Sequence, residues 1–162
     1  SIIIMKVIVD MENVSSCTDI PDEIAVTQWV EAALCSYGKP AEVAINVIDE
    51  DESAKLNYQY RRKNNPTNIL SFPANLPESL ELPLLGDLAI CAQVVAREAA
   101  AQNKDLYAHW AHIVIHGTLH LIGFDHISDA EEKKMELLEI EILASFNLSS
   151  PYEQISEEAS NL

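Results

Sequence analysis

The spacing of apolar positions along the chain alternates between the period of a strand and that of a helix. Ile3, Met5, Val7 and Val9 share one side, with Lys6 and Asp10 on the other, which predicts a strand over 3–9. Val26, Trp29, Val30, Ala33 and Tyr37 then fall on one helical stripe. Asp22 and Glu23 suit the positive end of a helix over 22–37, and Gly38 and Pro40 stop it. Residues 42–48 (E-V-A-I-N-V-I) are rich in β-branched side chains and predict a second strand. A short helix is expected over 51–60, an extended piece over 67–72 between Pro66 and Pro73, and a loop over 74–83. L-G-D-L-A-I-C, 85–91, predicts another strand, and the Ala-rich 92–103 a helix.

Residues 105–122 (D-L-Y-A-H-W-A-H-I-V-I-H-G-T-L-H-L-I) are apolar all round except for histidines and Thr118. A helix without a solvent face is a buried central helix. Gly123 ends it. Ser128 and Glu131 form a capping box that opens a last helix, 129–146, with Met135, Leu138, Ile142 and Phe146 facing the core. From Ser149 the chain is polar and is expected to fray. No repeat or linker interrupts this order. It predicts an α+β fold with a mixed sheet of about four strands packed with helices. One domain is expected over 1–148, followed by the tail 149–162.

Composition narrows the function classes. The chain has 162 residues, 48% of them apolar, enough for one domain with a real core. No apolar run approaches the roughly 20 residues of a membrane helix, and the start does not resemble a signal peptide. Cys17, Cys35 and Cys91 are few, odd in number and far apart, which excludes a cysteine-based zinc site and suits a reducing cytoplasm. The net charge of −16 excludes a generic DNA or RNA binder and favours basic protein partners. The charge is uneven. Asp49–Glu52 is an acidic run, six more acids lie between Asp129 and Glu141, and Arg61, Arg62 and Lys63 form a basic spot.

The histidines carry the chemistry. His116 and His120 are four residues apart, so both imidazoles lie on one helix face and can share a metal at about 2.0–2.1 Å. Gly123 permits the turn that brings His126 back as a third ligand. Three neutral imidazoles leave a fourth position for water, as in catalytic zinc sites. His112 lies a further turn, about 5.4 Å, away and reads as a wall of the pocket. His109 is expected near the helix start, partly exposed. Asp125 either orients a ligand imidazole or simply holds the turn beside Gly123.

The string H-G-T-L-H-L-I-G-F-D-H resembles the H-x-x-x-H-x-x-G-x-x-H frame of metzincin proteases. Those enzymes carry a general-base Glu after the first His; here the residue is Gly117, and no plausible Met-turn follows. A closer resemblance is to the YbeY family of zinc-dependent endoribonucleases of rRNA maturation. It rests on three blocks: L-N-Y-Q-Y-R-R-K-N-N-P-T-N-I-L-S-F-P (56–73), L-L-G-D-L-A-I-C (84–91) and H-W-A-H-I-V-I-H-G-T-L-H-L-I-G-F-D-H (109–126).

That resemblance implies one Zn2+ per chain on His116, His120 and His126, and a catalytic Arg61 near the metal. It implies a sheet-and-helix fold resembling metal-dependent proteases. It further implies single-strand-specific cleavage in 16S rRNA 3′-end maturation and ribosome quality control. Arg62-Lys63-Asn64 replaces a more usual Gly-Lys-Asp, and Phe124 stands where Tyr is common.

His116 would then serve both as ligand and in catalysis, and Arg61 would hold the scissile phosphate in a bidentate contact. The attacking group is left open between water and the RNA 2′-OH. Asn65, Thr67 and Asn68 fit either phosphate contacts or ordinary turn chemistry, and Asp87 either a structural place or the cleft. The expected partners are small-subunit precursor rRNA and basic small-subunit ribosomal proteins, with no membrane and no DNA. Two rivals remain: a zinc metallopeptidase, disfavoured by Gly117, and a zinc-stabilised ribosome assembly factor that does not cleave.

Overall fold

A computed structural model describes residues 6–125 and 128–152. Its strands are β1 (Val7–Asn13), β2 (Ala41–Ile48), β3 (Ile69–Pro73) and β4 (Leu84–Cys91). Its helices are α1 (Glu23–Ala33), α2 (Glu50–Arg61), α3 (Ala92–Ala101), α4 (Leu106–Leu121) and α5 (Asp129–Ala144). The strands form one mixed sheet in the order β1-β2-β4-β3. β1 and β4 both run parallel to β2, while β3 pairs antiparallel with β4. This is the single-domain α+β fold with a four-stranded mixed sheet that the apolar pattern predicts.

One face of the sheet carries the core. Val9, Val43, Ile45, Val47, Leu88 and Ile90 pack against Val26, Trp29 and Val30 of α1 and Val114, Ile115 and Leu119 of α4. Met135, Ile142 and Leu143 of α5 close the far side of α4. The other face is covered only in part. There Ile48, Leu70 and Ala89 meet Leu56 of α2 and Phe72.

The larger differences from the sequence pattern concern β1, α1 and the loop before β4. β1 runs on to Asn13, since its alternation continues through Met11 while Asp10 and Glu12 turn to the open face. Parallel pairing from Val7↔Ala41 to Asn13↔Val47 makes this polar stretch a strand despite its weak β propensity. α1 ends at Ala33, four residues early, and Leu34–Tyr37 close it as turns before Gly38 at φ +73°. The loop over 74–83 contains one 3₁₀ turn, Glu78–Leu80.

The caps follow the sequence reading. Asp22 accepts from the Ala25 N–H and Ser128 from the Glu131 N–H. α4 is the central helix: Trp110, Ala111, Val114, Ile115, Thr118 and Leu119 are each at most 1% exposed. Among the described residues no helix is long and apolar enough to cross a membrane.

Candidate functional site

Two segments make the cleft: the second half of α4, and the stretch from the end of α2 to β3. The loop between α2 and β3 is held by buried polar groups. Ser53 of α2 accepts from the Thr67 N–H and donates to the Thr67 carbonyl, each at 3.0 Å, and Asn57 donates to the Asn65 carbonyl at 2.8 Å. Arg62 adopts a left-handed conformation, φ 59°, and ends the helix directly after Arg61. Arg61 is therefore the last residue of a pinned helix, exposed, on the rim of a cleft of about 440 Å³. Asn68, Ser71, His116, His120, Phe124 and Asp125 share that cleft.

His116 and His120 lie on the same face of α4, as their spacing requires, with their Nε2 atoms 3.0 Å apart. Two donors about 2.0–2.1 Å from one tetrahedral ion are separated by roughly 3.3 Å, so this pair fits a shared metal without rearrangement. The other ring nitrogen of His116, Nδ1, contacts the Glu139 carboxylate of α5. A carboxylate there fixes the proton on Nδ1 and leaves the Nε2 lone pair facing the cleft. His126, the third ligand expected from the sequence, lies outside the described residues.

Glu139 is the main residue the sequence reading misses. It is counted there among the acids of a charged helix, yet it is fully buried. The signal was present: with Met135 four residues before it and Ile142 three after, Glu139 occupies the core stripe of α5. Burial alone would raise its carboxyl. Hydrogen bonds from His112, His116 and Tyr152 outweigh that and hold it down at about 2. It is an ionised, acceptor-only group inside the protein.

The first half of α4 behaves differently. His109 is 3% exposed rather than partly open, and its Nε2 faces Glu98 of α3 at 3.0 Å. Glu98 also accepts from the Asn68 side chain at 3.1 Å. His112 Nε2 lies 3.4 Å from Glu139 and 3.3 Å from the Tyr152 hydroxyl, and burial pushes its pKa down, toward the neutral form. His112 does not line this cleft; with His109 and Lys104 it lines another cavity of about 480 Å³.

His112, His116 and Glu139 do place three donor atoms within 4.8 Å of one another, a group that could hold an ion. Within that group Glu139 contacts His116 Nδ1 directly and takes the Tyr152 hydroxyl on its other oxygen. The pair that lines the cleft is His116 and His120.

Other residues singled out from the sequence take the following places. Thr67 and Asn68 are tied into the fold, by Ser53 and by Glu98. Asp125 lies on the cleft rim, while the carboxylate behind His116 is Glu139. Asp87 lines a separate groove of about 1140 Å³ on the open face of the sheet, with Asn46, Tyr60, Phe72 and the acids Asp49, Asp51 and Glu52. Arg61 borders both cavities. Gly117 is buried against the sheet, where an added Cβ would meet Ile69 Cδ1 at 2.4 Å and Leu88 Cδ2 at 3.1 Å. The position a metzincin gives to its general base is here a packing contact.

A family model described as Endoribonuclease YbeY matches residues 10–147. The chain belongs to the YbeY endoribonuclease family. Both halves of the cleft, and Glu139 with them, lie within the matched span. Membership gives the chain RNA as its substrate class and hydrolysis as its chemistry. Among solved structures it is similar to the solution structure of TM1509 from Thermotoga maritima, at 22% identity and a TM-score of 0.57, covering 86% of this chain and 92% of that one. At that identity the likeness supports the fold.

Proposed function

We propose that this chain is a zinc-dependent, single-strand-specific endoribonuclease that acts in the cytoplasm on small-subunit precursor rRNA, in 16S 3′-end maturation and ribosome quality control. The observation that carries the reading is the pair of imidazole nitrogens 3.0 Å apart in a cleft that Arg61 also lines. Imidazoles suit zinc and other borderline metals. His116, His120 and, by its spacing in the sequence, His126 hold one ion. When bound, zinc in such a site lowers the pKa of a coordinated water to about 7 and polarises a phosphoryl oxygen.

The chain's own groups do the rest. Arg61 pairs its guanidinium with the scissile phosphate and offsets the charge that develops as the bond breaks. Its place at the end of a pinned helix, on the rim of the cleft that the histidines also line, supports this role. Glu139 keeps the His116 proton on Nδ1, away from the reacting side. Arg62 and Lys63 extend the positive spot along the RNA backbone.

The acidic body supports delivery by protein partners. With a net charge of −16, and with Asp49, Asp51, Glu52 and Asp87 around the neighbouring groove, long-range repulsion acts on naked RNA. Basic small-subunit ribosomal proteins would bring enzyme and substrate together.

The test is a cleavage assay with metal-free, zinc-reconstituted and His120→Ala protein, on naked and on ribosome-bound precursor RNA. Cleavage restored by zinc, lost in His120→Ala and faster on the particle is expected. Zinc-dependent stability without cleavage by any preparation would overturn the reading in favour of an assembly factor. A peptidase is disfavoured by Gly117, whose position has no room for a catalytic carboxylate.

A further inference from the structure

The chain does not leave the body of the protein after α5. Asn147, at φ +61°, turns it, and the Leu148 N–H returns to the Leu143 carbonyl at 3.0 Å. Ser150 is buried, and its hydroxyl accepts from the Tyr152 N–H at 3.1 Å. This second turn swings Tyr152 back over α4 and α5. Its ring stands edge-on to the His112 ring, with centroids 5.7 Å apart and planes at 86°. Its hydroxyl donates to Glu139 Oε2 at 2.5 Å.

Glu139 therefore receives donors on both oxygens: His116 Nδ1 on Oε1, and Tyr152 on Oε2 with His112 Nε2 beside it. A buried carboxylate with a single donor would be costly and free to rotate. With Oε2 held by the hydroxyl, Oε1 is left aimed at His116. Burial and the Glu139 charge keep the Tyr152 phenol well above its ordinary range, so it stays a donor.

We propose that Tyr152 is a positioning residue of the metal site: by holding Glu139 Oε2 it locks the His116 ring and its proton, and so sets the affinity of the site for its ion. The inference rests on reading His116 as a ligand. It makes the segment after α5 part of the functional site, although among the described residues none of 145–152 lines the cleft. Carboxylates that hold a ligand imidazole typically change metal affinity by about 10–100-fold when lost. A residue that acts by holding such a carboxylate belongs in the same range, toward its lower end.

The test uses the full chain stripped of metal. Zn2+ affinity is measured by competition with a chromophoric chelator for the parent, Tyr152→Phe, Glu139→Gln and the double variant. Nitrogen–proton correlation spectra of the metal-free proteins report the His116 tautomer. Tyr152→Phe keeps the ring and its packing, so a merely structural role would move neither readout. The expected result is about tenfold weaker binding, a mixed His116 tautomer in Tyr152→Phe, and almost no further loss on adding Tyr152→Phe to Glu139→Gln. Parental affinity and a parental tautomer in Tyr152→Phe, or losses that add fully in the double variant, would overturn the proposal. If the parent takes up no zinc, the ligand reading fails instead, and the tautomer alone decides whether Tyr152 positions His116. None of these readouts depends on RNA cleavage.

Discussion

His112 and His116, like His116 and His120, are four residues apart on one helix, yet the ring centroids are 6.1 Å apart in the first pair and 4.6 Å in the second. The first half of α4 puts each histidine against a carboxylate: His109 against Glu98, and His112 against Glu139. The second half turns His116 and His120 toward each other in an open cleft. Helical spacing makes both pairs eligible to share an ion, and what packs beside them decides. Where α3 and α5 supply carboxylate acceptors, Glu98 and Glu139, the imidazole is consumed as a donor. Where Glu139 takes only the far nitrogen of His116, the near one is left for the cleft.

Substituting along the stripe is the strongest way to break this comparison. His120→Ala should bring RNA cleavage to background and bound metal, by elemental analysis, far below the parental level. At free metal about 100 times the parental Kd, about 2.7 kcal/mol of stabilisation should vanish from thermal melts. His112→Ala should keep its metal. Equal metal loss in the two variants would mean that both halves of the helix form one site.

The rate of the chemistry sharpens the cleft side. Arg61→Ala should keep fold and metal but cleave about 10²–10³ times more slowly, as expected for a lost transition-state contact. Arg61→Lys should recover only part, because lysine lacks the planar fork. Single-turnover kinetics at saturating RNA separates this from weaker binding. An unchanged rate in Arg61→Ala would remove the arginine from the reaction.

Gly117 tests whether α4 is seated by the sheet or by the cleft. Gly117→Ala should destabilise by about 1–3 kcal/mol in urea titrations, since its Cβ would overlap Ile69 Cδ1. A neutral result would show that the ends of Ile69 and Leu88 yield at a cost no larger than the gain in helix propensity, so that α4 is not tightly seated on the sheet at this point.

The smallest effect is expected at the closed end. Burial pushes the Glu98 carboxyl up, but hydrogen bonds from His109 and Asn68 outweigh this and leave it below its ordinary value. A depressed carboxyl contributes stability above its unfolded value, about pH 4.3, and loses it as pH falls through the folded one. Glu98→Gln should flatten this acid limb, read as a smaller drop in urea midpoint between neutral pH and pH 3. An unaltered limb would show that His109 does not depend on Glu98.

The residues themselves determined much of this protein. The two spacings of apolar residues specify strands and helices, because a side chain's direction repeats every two residues in one and every 3.6 in the other. The all-round apolarity of 106–122 specifies a buried helix, and the i, i+4 step puts His116 and His120 on one helix face. Tertiary structure decided the rest. Arg61 shares a cleft with the histidines only because β3 pairs with β4 and packs under α4, joining segments some fifty residues apart. Nothing local says that the inward Glu139 meets His116, that His109 meets Glu98, or that Tyr152 folds back thirteen residues to hold Glu139. Local pattern fixes which way a side chain leaves its own helix or strand. Whether it then meets solvent, a carboxylate or another imidazole depends on elements packed from far along the chain.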